Sequence, residues 1–223
     1  MRPLAILGGT FDPVHLGHLR AAWEAAEALD AEVRLMPAHV PPHRPVPVAS
    51  APQRVAILRA ALAGQDRLTL DTRELDRNGP SYTFDTLTAL RAEIGARPLV
   101  LLIGSDAFAG LPHWHRWREL FALAHFGVLT RPGHVPPLPP ELAAEAAPRE
   151  VVGADALRAN PHGHVLRIAI TQLEISATRI RALLREGREP RWLLPDALLA
   201  DPALLAPYRH SRAPGPGTRD RKG

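Results

Sequence analysis

Cysteine does not occur in the 223-residue chain, which excludes disulfides, thiol nucleophiles and cysteine metal sites. Lysine is almost as scarce: Lys222 is the single lysine among 27 cationic residues, so nearly every positive charge is a guanidinium. No apolar stretch approaches the roughly 18 residues of a membrane span, and no membrane partner is expected. Met1-Arg2-Pro3 leads directly into an apolar run, so no secretory leader is expected and a cytoplasmic location is. The net charge of +4 is confined to one end. Residues 209–223 hold five basic groups and one acid, whereas the remaining 208 residues carry 22 of each sign. That distribution argues against a nucleic-acid partner. Rich in Gly, Pro and Arg, residues 209–223 cannot bury a core and are expected to form a disordered basic tail behind one domain spanning 1–208.

What is present is an alternation. Strand-like runs recur at Leu4–Leu7, Val33–Met36, Leu68–Asp71, Leu99–Ile103, Phe126–Leu129 and Val165–Ile170. Helix-like stretches fall at about His15–Leu29, Pro52–Ala63, Thr83–Ile94 and Arg116–Ala124, and from Ser176 to about Glu186, where Gly187 suits the C′ position. Ala197–Leu205 completes the pattern. Strands alternating with helices predict an α/β fold, a Rossmann-like, doubly wound parallel sheet in a single domain. Pro37–Pro52 reads as a long loop, and a second irregular region runs from Pro132 to about His164 with one short helix at Glu141–Ala147.

Ligands of such sheets bind beyond the carboxyl ends of the strands. The stretch Gly8-Gly9-Thr10-Phe11-Asp12-Pro13-Val14-His15-Leu16-Gly17-His18 lies there, between the first strand and the first helix. Two glycines let backbone approach a ligand, Asp12 is a candidate N-cap, and Pro13 suits the first helical position. His15 and His18 are three apart and share a face at the helix start, where free N–H groups and the helix dipole favour an anion. The Lys-Ser/Thr ending of a P-loop is missing, as is the G-x-G-x-x-G dinucleotide spacing. Two imidazoles in place of a lysine suggest hydrogen-bond donors aimed at a reacting phosphoryl group. A metal-ligand pair and two surface histidines are the alternatives.

Ser176-Ala177-Thr178 opens a second helix start of the same kind. Ser176 caps it, Thr178 offers a hydroxyl, and Arg181 shares the face of Thr178 at i, i+3, placed to grip phosphate with a forked guanidinium. Arg179 points elsewhere.

The first stretch resembles the signature of the nucleotidylyltransferase superfamily carrying an H-x-G-H motif. Ile175-Ser176-Ala177-Thr178-Arg179-Ile180-Arg181 is similar to its second signature, with Ala177 in place of the usual second serine. Between them lie Pro41-Pro42-His43-Arg44, Gly79-Pro80-Ser81-Tyr82-Thr83-Phe84-Asp85-Thr86-Leu87, Ile103-Gly104-Ser105-Asp106 and Leu111-Pro112-His113-Trp114. That order resembles the bacterial nicotinate-nucleotide branch of the superfamily, over about residues 3 to 206.

The resemblance implies adenylyl transfer from ATP to nicotinate mononucleotide. His18 would donate to the α-phosphate and His15 hold the triphosphate, with Gly8, Gly9, Thr10, Phe11, Ser176 and Thr178 around it. Arg44 would stand for the family's lysine as a phosphate contact. Trp114 would stack on the pyridine ring, backbone N–H groups near Thr83 and His115 would receive the carboxylate, and Asp106 would contact ribose. Asp106 as a helix N-cap, and Tyr82 or Phe84 as core residues, stay open. Mg²⁺ is expected with ATP, held through its phosphates without protein ligands. A nucleotide sensor or nucleic-acid binder using the tail is the rival reading, and a homo-oligomer is left open.

Overall fold

A computed structural model describes residues 1–39, 46–77, 81–130 and 136–209. Seven strands form one sheet in the order β3-β2-β1-β4-β5-β7-β6. They are β1 Leu4–Gly9, β2 Glu32–Pro37, β3 Leu68–Leu70, β4 Leu99–Gly104, β5 His125–Thr130, β6 Glu150–Val151 and β7 Val165–Ala169. Every pairing is parallel, with Leu4 opposite both Glu32 and Leu99. The helices are α1 Leu16–Leu29, α2 Ala51–Ala61, α3 Thr83–Ile94, α4 Ser105–Ala109, α5 Pro140–Ala146, α6 Asp155–Arg158, α7 Ala177–Arg185 and α8 Asp196–Ala200. This is the α/β, doubly wound parallel sheet that the alternation predicts.

Parallel strands must be covered on both faces, and successive residues of each strand feed opposite cores. Ala5, Val33, Leu35, Val100 and Leu102 join one cluster with Ala22, Ala25, Ala26 and Leu29 of α1 and Ile57 and Leu58 of α2. Leu4, Ile6, Leu99, Leu101 and Ile103 join the other with Leu87 and Leu90 of α3 and Phe108, Phe126 and Val128. The strand order reverses between β1 and β4, so a crevice opens beyond their carboxyl ends. β1 delivers Gly8-Gly9 into that crevice.

Three regions depart from expectation. The segment read as a helix over Arg116–Ala124 is a 3-10 stretch, Trp117–Ala122, entered through Arg116 in the left-handed region at φ 54. The last helix is shorter than Ala197–Leu205 suggests, ending at Ala200. Asp201 turns to φ −117, ψ 93 because a residue before proline, here Pro202, is pushed out of the helical region. Within the region read as irregular, β6 and α6 accompany the expected short helix, and β6 pairs with β7 at the sheet edge. Gly187 does close α7, at φ 71, with Arg188 N–H donating to the Leu183 carbonyl at 2.9 Å. From His210 onward the basic tail lies outside the described residues.

Candidate active site

The loop after β1 is built around Phe11 and Asp12. Phe11 sits at φ 49, uncommon for a bulky side chain, and its ring is buried against the Gly9 backbone. A Cβ on Gly9 would lie 2.9 Å from the ring's Cζ, so Gly9 makes room for Phe11, and Gly8, with nothing within 4 Å, is the glycine that faces open space. Asp12 is not the N-cap, and Pro13 is not helical. α1 begins at Leu16 behind His15, which is extended at φ −146, ψ 169. The Asp12 carboxylate is engaged elsewhere: Oδ2 accepts from Val48 N–H at 2.8 Å, while Oδ1 accepts from Ala49 N–H at 3.0 Å and from the Tyr208 hydroxyl at 2.8 Å.

His15 and His18 are brought together as their spacing predicts. Their rings stack with centroids 3.7 Å apart and 23° between planes, and Phe11 meets His18 edge-on at 5.1 Å. Burial pushes the His15 pKa down to about 4, so at neutral pH this imidazole is a neutral, one-proton donor rather than a cation. The backbone part of the anion site is narrower than a bare helix start. Leu16 N–H donates to the Leu193 carbonyl at 3.0 Å, and His18 N–H donates to the His15 carbonyl at 2.9 Å.

The second motif docks onto the first. Ser176 caps α7, its hydroxyl accepting from Arg179 N–H at 3.2 Å, and Arg179 is exposed. Arg181 reaches from the next turn and donates from Nη1 to the Asp12 backbone carbonyl at 2.7 Å, with the Asp12 carboxylate 3.7 Å away. Its Nη2 donates to the Thr178 hydroxyl at 3.4 Å. A Cβ on Gly17 would lie 3.6 Å from Ile175, so the two motifs touch at a second place.

On the far side of the crevice, α3 starts at Thr83 behind Tyr82, whose ring lies 4.6 Å from that of His115. Thr83 and His115 therefore belong to one corner. Trp114 is half-buried against the cluster beneath α3, and the Arg116 guanidinium lies 3.5 Å from the Phe84 ring centroid. Phe84 is partly buried there too, so it serves packing. Asp106 is exposed in the first turn of α4, whose N-cap is Gly104, which removes the N-cap reading. Arg44 lies outside the described residues.

Two residues of this neighbourhood carry no motif. Tyr208 is buried and donates to Asp12 from the last 3-10 turn; burial and the Asp12 charge hold its phenol pKa far above the usual value, so it remains a donor. Arg54, 1% exposed, donates from Nη1 to the Thr10 carbonyl at 2.8 Å. The signal for Arg54 was available: it occupies the buried stripe of α2 with Ile57 and Leu58, at i, i+3 and i+4, where an apolar residue belongs.

A Rossmann-like sheet with a histidine pair after β1 and a capped, arginine-bearing helix start docked on it defines a nucleotidylyl-transferring class of protein. The sequence model described as cytidylyltransferase-like matches residues 6–183. A probable nicotinate-nucleotide adenylyltransferase of Methylococcus capsulatus is 52% identical over 198 residues, covering 88% of this chain and 94% of the relative. One of the same description from Pseudomonas syringae pv. tomato is 47% identical over 216 residues, covering 96% and 97%. Among solved structures, the Plasmodium falciparum nicotinic acid mononucleotide adenylyltransferase complexed with NaAD is similar in fold, with a TM-score of 0.66 at 14% identity, covering 90% of this chain and 96% of that one. The chain belongs to the cytidylyltransferase-like family and, within it, to the nicotinate-nucleotide adenylyltransferases.

Proposed function

We propose that the chain joins ATP and nicotinate mononucleotide, giving nicotinate adenine dinucleotide and pyrophosphate, a step of NAD biosynthesis. The bond from Arg181 to the Asp12 carbonyl carries this reading, because it sets both phosphate-binding motifs on one crevice. An oxygen of the mononucleotide phosphate attacks the α-phosphorus of ATP, the bond to the bridging oxygen breaks, and pyrophosphate leaves. The chain's task is to align the two substrates and to stabilise charge spreading over phosphoryl oxygens.

His18 donates to the α-phosphate oxygens as that charge grows. His15, neutral and stacked beneath it, donates to the triphosphate. Arg181 grips the β- and γ-phosphates together with Ser176 and Thr178, with Arg44 a further phosphate contact; Gly8, Gly9, Thr10 and Phe11 form the floor. At the other corner Trp114 stacks on the pyridine ring, N–H groups near Thr83 and His115 receive the carboxylate, and Asp106 meets ribose hydroxyls. Held through the ATP phosphates, Mg²⁺ would offset part of their charge. The Asp12 carboxylate beside the loop already accepts from three donors, so the residues fit a cation carried by the substrate rather than by the chain. A cytoplasmic setting with no nucleic-acid partner fits these substrates, and among the described residues no helix is long and apolar enough to cross a membrane.

Pyrophosphate release with ATP and a panel of acceptors tests the assignment. Turnover is expected with nicotinate mononucleotide, above nicotinamide mononucleotide and phosphopantetheine. No release with nicotinate mononucleotide would reject it.

A further inference from the structure

Arg54 is the largest fully buried side chain of the described residues, and its position behind the phosphate loop has no counterpart in the two motifs. Among the described residues its guanidinium makes one hydrogen bond, to the Thr10 carbonyl at 2.8 Å, and its buried Nε has no partner. Burial weakens its hold on the proton, while the nearby Asp12 and Tyr208 strengthen it. A buried guanidinium with donors left over is a costly way to hold one loop carbonyl, because a neutral side chain would do so without burying charge.

The peptide geometry supplies the reason. The one cis peptide among the described residues is Asp12–Pro13, so the Thr10–Phe11 peptide is trans, and its N–H points opposite to its carbonyl. With the Thr10 carbonyl drawn inward to Arg54, the Phe11 N–H is turned outward. No described residue accepts a hydrogen bond from it. Phe11 itself is held in the left-handed region at φ 49.

We infer that Arg54 is a positioning residue for the triphosphate: by holding the Thr10 carbonyl it aims the Phe11 N–H at a phosphoryl oxygen, and its charge backs the loop from within. The inference rests on the reading of this crevice as the ATP site. Arg54 touches no substrate and acts through the peptide it fixes.

The full chain and its Arg54→Met and Arg54→Lys variants test it. The measurements are kcat, KM for each substrate, melting temperature, and the affinity for inorganic tripolyphosphate by titration calorimetry. Arg54→Met should weaken tripolyphosphate binding and raise KM for ATP by about tenfold or more, with KM for nicotinate mononucleotide within about twofold. Arg54→Lys, which keeps the cation but not the fork, should fall between Arg54→Met and the parent. Unchanged tripolyphosphate affinity in either folded variant overturns the inference. So does an equal rise in both KM values, which a merely loosened structure would give, and so does a parent chain that ignores tripolyphosphate. Should Arg54→Met not fold, Arg54→Lys decides by the same split. Failure of the adenylyltransferase reading shows separately, as absence of turnover in a parent chain that still binds tripolyphosphate.

Discussion

The guanidinium of Arg181 donates to the backbone carbonyl of Asp12 across 2.7 Å, joining residues 169 positions apart in the chain. A carbonyl cannot move to chase its donor when its own side chain is pinned at three points, so the bond sets where Arg181 can stand. One Nη donates in this bond and the other to Thr178, and in the proposed site the outer edge of the fork meets phosphate. Replacing Arg181 by Lys keeps charge but loses the fork. KM for ATP should rise about tenfold or more in steady-state assays, and an unchanged KM would remove Arg181 from the phosphate site.

His18→Ala deletes the donor assigned to the reacting phosphorus. Loss of one positioned donor of this type costs about 3–4 kcal/mol, so kcat should drop about 100–1,000-fold while ATP affinity changes little. A drop in affinity with kcat retained would mean that His18 binds the ground state only.

Tyr208→Phe removes one of the donors to the buried Asp12 carboxylate. A hydrogen bond to a charged group contributes about 1.5–3 kcal/mol, and the loss should appear as reduced stability in urea titration. Because Asp12 also holds Arg181, KM for ATP should rise in the same variant. Stability falling alone would confine Tyr208 to packing.

Trp114→Ala should raise KM for nicotinate mononucleotide with little effect on KM for ATP. Ring stacking contributes about 0.5–1.5 kcal/mol beyond burial, which is about two- to tenfold. Equal effects on both substrates would point to collapse of the half-buried corner instead.

Stability should fall on mild acidification. His125 begins β5 fully buried, its Nδ1 accepting from His164 N–H at 3.0 Å and its Nε2 bonded to the Asn160 carbonyl at 2.9 Å. Burial holds its pKa at about 4, as it does for His15. Both imidazoles are neutral in the native state, whereas the unfolded chain binds those protons below about pH 6.5. Their contribution is therefore complete above about 6.5 and is lost as pH falls toward 4, by up to about 3 kcal/mol for each. Urea unfolding at pH 7.5, 6 and 5 measures this, and a flat profile would contradict it.

Periodicity and short motifs carried a large share of the outcome. Alternating apolar runs and helical stripes specify a covered parallel sheet, because period decides which residues share a face, and that requires no knowledge of distant contacts. The same local logic placed His15 beside His18, Ser176 on the cap of α7, and Thr178 beside Arg181. It failed where a side chain's partner lies far along the chain. Asp12 carries every local mark of an N-cap, yet its oxygens are claimed by residues 48, 49 and 208. Gly9 is small because a ring two residues on folds back over it, and Arg54, on the apolar stripe of α2, donates to a carbonyl of the neighbouring loop. Local chemistry is written in sequence spacing; long-range hydrogen bonding to a buried group is not, since any donor in the chain could meet it until the sheet closes and selects a few.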